Sequence, residues 1–213
     1  MPRKVDHEQR RRRIAEAVWT IVALRGLEAA SLRDIAAEAG VSLGQVQHYF
    51  RTKEQVLRYA GQRLVELAGE ELRRSLAARP EPPSPRSTIR AIAEQTVPAT
   101  PERRLGAAVW YAFVTRAVTA PELAALIREA WAGTHALITD EVRAAQRARQ
   151  VATGLDPAEL AATLQTVVDG LVPQVLVGYR TPAEALAVVD QHLDLVFRPA
   201  GRPTARLGGE APR

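Results

Sequence analysis

The 213-residue chain is 46% hydrophobic and 25% charged, the balance of a folded soluble protein and not of a disordered one. It has no cysteine, which excludes disulfides and thiolate metal sites, and no apolar run of membrane-spanning length; a reducing, cytoplasmic setting without a secretory leader is expected. The net charge of +5 is unevenly placed, since residues 1–79 hold 15 Lys+Arg against 10 Asp+Glu whereas residues 80–213 hold 14 of each, an asymmetry suited to a nucleic-acid partner for the N-terminal part.

Nearly every segment reads as helix, and the predicted fold is all-α with about nine helices. The first helix runs from about Asp6 to Arg25, with Ile14, Val18, Ile21 and Val22 apolar at helical spacing, four arginines at Arg10–Arg13, and Gly26 as its stop. Ser31 caps a short second helix whose Ile35 and Ala39 face inward; Gly40 ends it. Ser42 caps a short third helix, with Gln45 at the capping-box position. Helix, sharp turn and helix together make a helix-turn-helix, a common way of presenting a helix to the DNA major groove. Thr52 caps a fourth helix, with Gln55 three residues on. It continues through Leu57, Leu64, Leu67 and Leu72 to about Arg79, roughly 40 Å long.

Residues 80–85, PEPPSP, cannot continue a helix and read as a linker. A fifth helix follows from about Arg86 to Val97, and a sixth is capped by Thr100 with Pro101 at its first position. The seventh runs from near Pro121 to about Gln150. Asp156-Pro-Ala-Glu159 opens the eighth, which Pro173 is expected to kink or end early, and Thr181-Pro-Ala-Glu184 opens the ninth. The Gly-, Pro- and Arg-rich tail over 199–213 reads as disordered. The expected organisation is an N-terminal three-helix domain over 1–52 and a C-terminal helical domain over 53–198, with helix four (53–79) connecting them.

The segment GLEAASLRDIAAEAGVSLGQVQHYFRTKEQVL carries a specific resemblance. Gly26, the run Ser31 to Ala36, Ala39-Gly40-Val41-Ser42, the triplet His48-Tyr49-Phe50 and Lys53-Glu54 resemble the TetR family of one-component bacterial repressors over residues 8–58. Asp169-Gly170-Leu171 followed by Gln174 is similar to the subgroup typified by the choline-responsive repressor. One departure bears on base preference: Gln47 stands where the family usually places an apolar or aromatic residue. The resemblance implies a C-terminal domain of five helices whose last two pair with a second subunit.

On the third helix, Ser42, Leu43, Gly44, Gln45 and Gln47 are the candidate base readers. Glutamine can pair bidentately with adenine, Leu43 can pack on a thymine methyl, and Gly44 lets the backbone come close. Tyr49, Thr52 and Lys53 are implied phosphate contacts, and Ser31 and Arg33 complete the expected DNA surface. His48 is either a phosphate contact or a partly buried packing residue. The arginine run is either a solvated face or a source of unspecific DNA affinity; it spans more than a turn, so its members cannot all face one way.

The C-terminal half holds what a small-molecule pocket needs, an apolar enclosure with a few polar groups. The candidates are Leu64 and Leu67 on helix four, Trp110, Phe113 and Val114 on helix six, Trp131 and His135 on helix seven, and Gln165 and Asp169 on helix eight. Aromatics at helical spacing are more often plain core than pocket lining. Asp169 in an apolar helix either serves a ligand, pairs with an arginine such as Arg116, or belongs to a dimer seam. Val167, Leu171 and Val175 with Leu186, Val189, Leu193 and Val196 form a stripe suited to a four-helix seam between two copies or to packing within one.

An enzyme is not expected. The four histidines, His7, His48, His135 and His192, make no metal-binding pair at i,i+4, and there is no glycine-rich phosphate loop. No cofactor or metal is expected, and no membrane partner. The sequence points to a homodimeric repressor on a palindromic double-stranded DNA operator, released when a largely apolar effector between helices four and eight shifts helix four. The alternatives are a C-terminal domain that binds a protein partner, or an activator.

Overall fold

The computed structural model describes residues 2–79 and 82–197, with side chains from His7 onward. Among these residues there are nine α-helices and no strand: α1 Pro2–Arg25, α2 Leu32–Ala39, α3 Leu43–Tyr49, α4 Lys53–Ala77, α5 Pro85–Thr96, α6 Pro101–Ala117, α7 Pro121–Arg147, α8 Pro157–Leu176 and α9 Pro182–Val196. The tail over 199–213 lies outside the described residues, as do Pro80 and Glu81 of the linker.

Local chemistry explains the boundaries. The Ser31, Thr52, Ser84, Thr100 and Thr181 hydroxyls each accept from the backbone N–H three residues on, and the Asp156 carboxylate accepts from Ala158 N–H. Ser42 and Gln45 close a full capping box, as do Thr181 and Glu184. Gln55 reaches one residue further back than a capping box requires, to the N–H of Arg51. Gly40, at φ 61°, ends α2 in the left-handed region. The seventh helix stops at Arg147, short of Gln150, and Arg149 takes up the left-handed conformation at φ 57°.

Two buried clusters hold the molecule together. One joins Ile14, Val18 and Ile21 of α1, Ile35 of α2, Val46 of α3 and Val56 of α4 to Val109 and Phe113 of α6 and Leu123, Leu126 and Ile127 of α7. The other joins Ile89 and Ile92 of α5, Ile138 and Val142 of α7, and the inner faces of α8 and α9. The first cluster runs across residue 52, because α6 packs on α1 and α4, and α7 packs on α4. Gly61 sits tightly at the crossing of α4 with α6 and α7: a Cβ there would lie 2.5 Å from a Leu126 methyl and 3.2 Å from the Phe113 ring, so those side chains would have to give way.

Pro173 does not end α8, which runs on to Leu176. Proline has no N–H to give the carbonyl four residues back, that of Asp169; the Tyr111 hydroxyl on α6 donates to that carbonyl instead, at 2.5 Å. The carbonyls of Val175 and Leu176 at the helix end accept from Arg104. Nothing lies within 4 Å of where a Cβ on Gly178 would be; at φ +77° the glycine serves the turn into α9.

Candidate functional site

The helix-turn-helix is fixed from beneath. Val46 and Phe50 are fully or almost fully buried against α1, α2 and α4, and α3 is too short to turn without losing both anchors. Its opposite side is therefore outward: Ser42, Gly44, Gln45, Gln47 and His48 are exposed, and Leu43 and Tyr49 are half-buried. Ser31, Arg33 and Thr52 are exposed beside them, and Lys53 is half-buried with Nζ 3.4 Å from the Leu27 carbonyl.

The two glutamines differ in what they have free. Gln45 Oε1 accepts from Ser42 N–H at 2.9 Å, so its acceptor is held by the capping box and its amide N–H groups remain. No hydrogen bond within the described residues engages the Gln47 side chain. Bidentate pairing with adenine needs both the acceptor and the donor of the amide. Gln47 meets that requirement without rearrangement; Gln45 has to give up its cap.

The arginine run spreads over several directions. Arg11 lies over the Tyr59 ring at 4.2 Å and the Phe50 ring at 5.2 Å. Arg12 pairs with Glu8 at 3.5 Å, and the Arg13 guanidinium lies beside Gly40 in the turn before α3. Tyr59 donates to Glu8 at 2.8 Å, and burial followed by that carboxylate pushes its hydroxyl up to about 12. His48 is exposed, with its ring edge-on to Tyr49 at 5.3 Å.

A second candidate site lies in the C-terminal half. A narrow crevice of about 20 Å³ is lined by Ile89, Ile92, Ala93 and Thr96 of α5, Thr134 and Ile138 of α7, Leu164, Gln165, Val168 and Asp169 of α8, and Val189 of α9. Of the nine residues anticipated for a pocket it gathers only Gln165 and Asp169. Phe113 is sealed in the first core, with Trp110, Val114 and Leu64 packed against it. Leu67 is half-buried along α4. His135 Nε2 lies 3.0 Å from the Ala158 carbonyl and ties α7 to the start of α8. Trp131 is 38% exposed, and its carbonyl accepts from Gln165.

The crevice wall contributed by α5 escaped sequence reasoning, because no residue on that helix announces a partner on α8. Within it the Asp169 carboxylate has no hydrogen bond or ion pair among the described residues. Burial pushes it up to about 6. Pairing with Arg116 does not occur; that guanidinium donates to Thr119 at 3.0 Å. Among the described residues no group of three or more His, Asp or Glu is placed to hold a metal, and no helix is long and apolar enough to cross a membrane.

The stripe anticipated for a dimer seam is largely turned inward. Leu171, Val175, Val189 and Leu193 are buried in the subunit's own second core, and Val167, Leu186 and Val196 pack at its margin. The larger aliphatics of α8 and α9 are needed to close the core against α5 and α7. The outward faces instead carry small residues, Ala162, Thr166 and Gly170 on α8 and Ala183 and Ala187 on α9, with Leu195 58% exposed.

Comparison with known proteins agrees with this layout. Residues 14–60 match the model of bacterial regulatory proteins of the tetR family, and residues 85–198 match that of the BetI-type transcriptional repressor C-terminal domain. The HTH-type transcriptional regulator PksA of Bacillus subtilis (strain 168) is 39% identical over 117 residues, 55% of this chain and 56% of that protein. The HTH-type transcriptional regulator BetI of Yersinia pestis (strain Pestoides F) is 33% identical over 123 residues, 58% of this chain and 62% of its own length. The matches thus span well under two thirds of both relatives. The crystal structure of a transcriptional regulator from Saccharomonospora viridis in complex with choline superposes with a TM-score of 0.79 at 26% identity, covering 88% of this chain and 96% of that one. With the N-terminal match seated on the helix-turn-helix and the C-terminal match covering more than half the chain, the protein belongs to the TetR family of bacterial transcriptional regulators.

Proposed function

We propose that the protein is a homodimeric, cytoplasmic transcriptional repressor that binds a palindromic operator in double-stranded DNA and is released from it by a small effector. The observation that carries this is the arrangement of α3, pinned through Val46 and Phe50 with Ser42, Gly44, Gln45, Gln47 and His48 turned outward. Ser31, Arg33, Tyr49, Thr52 and Lys53 flank that row and are suited to the phosphates on either side. A single recognition helix reads few bases; two copies about 34–36 Å apart read two half-sites. The small-residue faces of α8 and α9 support a four-helix seam, since small side chains let two helix pairs approach closely.

For the effector, the crevice beside Asp169 has the right chemistry and too little room. Aliphatic walls, two threonines, an amide and a lone carboxylate suit a largely apolar molecule bearing a donor or cationic group. The choline held by the Saccharomonospora relative belongs to that class. Twenty cubic ångströms hold about one water, so an effector enters only by parting α5 from α8. A molecule that favours the parted state shifts the protein towards it, and α4, which packs on α5 as well as on α1 and follows α3 in the chain, carries the change.

Binding to duplex DNA tests the reading, with selection of bound sequences from a random duplex pool. Enrichment of an inverted repeat, with two chains per duplex by sedimentation, is expected. A dimer that recovers no sequence, or a monomer at every concentration, overturns it. Choline is the first effector probe; tighter choline binding by free protein than by the protein–operator complex is the signature of release.

A further inference from the structure

His7 of α1 and His48 of α3 lie side by side in space, with ring centroids 6.1 Å apart, and the Tyr49 ring stands edge-on at 5.3 Å from each. The three rings, with Glu8 and Arg11, line a shallow concavity. Both imidazoles are exposed, and His48 sits on the outward face of the recognition helix. We propose that this pair forms a proton-gated site for a DNA phosphodiester, so that duplex DNA is held more tightly as pH falls through the histidine range. The inference rests on the DNA-binding reading above.

The charges around the pair favour an anion. From α1 come Arg11, a permanent cation on the concavity wall, and Glu8, the one carboxylate among its described lining residues. Glu8 is already occupied: it accepts from the Tyr59 hydroxyl of α4 and pairs with Arg12. From α3 comes the Tyr49 ring. A phosphodiester seated between the two imidazoles favours their charged forms, as any close negative charge does for a base. Proton uptake thus accompanies DNA binding, and by linkage DNA affinity depends on pH. Among basic side chains it is histidine, not lysine or arginine, whose charge changes between about pH 5 and 8. The site also ties α1 to the same phosphate that α3 approaches, which a contact from α3 alone would not do.

The test uses the full chain and a mixed-sequence duplex of about 30 base pairs, because a phosphodiester site needs no operator. Anisotropy titrations at constant ionic strength compare about pH 5.5 with about pH 7.5. Wild type is expected to bind about tenfold tighter at the lower pH, His7→Gln and His48→Gln each about threefold, and the double variant with no more than the change that general carboxylate protonation produces. Both side chains are exposed, so the variants are expected to fold, and circular dichroism checks this. In a parallel NMR titration the His7 and His48 imidazoles should ionise at higher pH once duplex is added, with His192 unmoved. Duplex binding whose pH dependence survives intact in His7→Gln overturns the site alone. No duplex binding at either pH overturns the DNA-binding reading and the site with it.

Discussion

The Tyr111 hydroxyl donates to the carbonyl oxygen of Asp169, the acceptor that Pro173, four residues on, leaves without its helical partner. One proline thus creates a vacancy in α8, and a side chain from α6 fills it. The bond locks two helices together at the turn of α8 that also carries the unpaired Asp169 carboxylate. Tyr111 is accordingly shielded, and burial, then the Asp169 charge, pushes its hydroxyl up to about 12.

Replacing Tyr111 by phenylalanine keeps the ring and deletes the donor. The Asp169 carbonyl then has neither a backbone nor a side-chain partner, and leaving a buried acceptor unmade costs about 1–3 kcal/mol. Urea denaturation of Tyr111→Phe should show an unfolding free energy lower by that amount, read as a lower midpoint at an unchanged slope. An unaltered midpoint would mean that water replaces the hydroxyl without loss.

Asp169 itself predicts a pH dependence. Its folded value, about 6, lies above the ordinary 3.8, so the folded state holds the proton more tightly than the unfolded chain. Its unfavourable contribution is absent below the unfolded value, grows between about pH 4 and pH 6, and is complete above. Asp169→Asn should therefore be more stable than wild type at pH 7, by about 1–2 kcal/mol after allowance for partial solvent exposure, and equal to it near pH 4. Chemical denaturation across this range reads the difference. A constant gap at every pH would assign the effect to packing.

The DNA side of the molecule was legible in the sequence because its signals are local. Ser31, Gly40, Ser42 and Thr52 set helix ends through bonds to residues three or four away. The crevice was not legible, because it depends on which helices meet. Trp110 and Phe113 read as pocket aromatics by spacing, yet α6 crosses α1 and α4, and Phe113 is used to seal that junction. The aliphatic stripe of α8 and α9 carried no mark telling an internal core from an external seam. The preference for the core follows from α5, whose Ile89 and Ile92 need covering.

The crossing at Gly61 gives a prediction about α4. A methyl there meets Leu126 at 2.5 Å and Phe113 at 3.2 Å, and Phe113 is wholly buried with no room to swing away. Gly61→Ala gains helix propensity of about 1 kcal/mol. Overpacking in a filled core costs about 1–3 kcal/mol, so the net effect should be destabilising, and relief requires α4 to move off α6 and α7. Because α4 begins at the DNA-binding helices, operator affinity should fall more than stability does. Thermal melts and anisotropy on the same preparation separate the two; a variant more stable than wild type would show that the crossing has slack.

The occupied acceptor of Gln45 sets it apart from Gln47 in a mutational test. Gln45→Ala removes half of the capping box that starts α3, worth about 0.5–2 kcal/mol for a cap, so it should lower stability and weaken binding to every duplex. Among the described residues nothing hydrogen-bonds to the Gln47 side chain, so Gln47→Ala should leave the melting temperature unchanged and relax preference at a single base position in each half-site, with discrimination there reduced by about 1–3 kcal/mol. Lys53→Ala should weaken all sequences alike and lower the salt dependence by about one phosphate's worth, a log–log slope of about 0.9. Binding to a saturation library of half-sites separates these outcomes. If Gln47→Ala reproduces the wild-type base profile while Gln45→Ala changes it at one position, the capping amide is released on DNA and Gln45 is the reader.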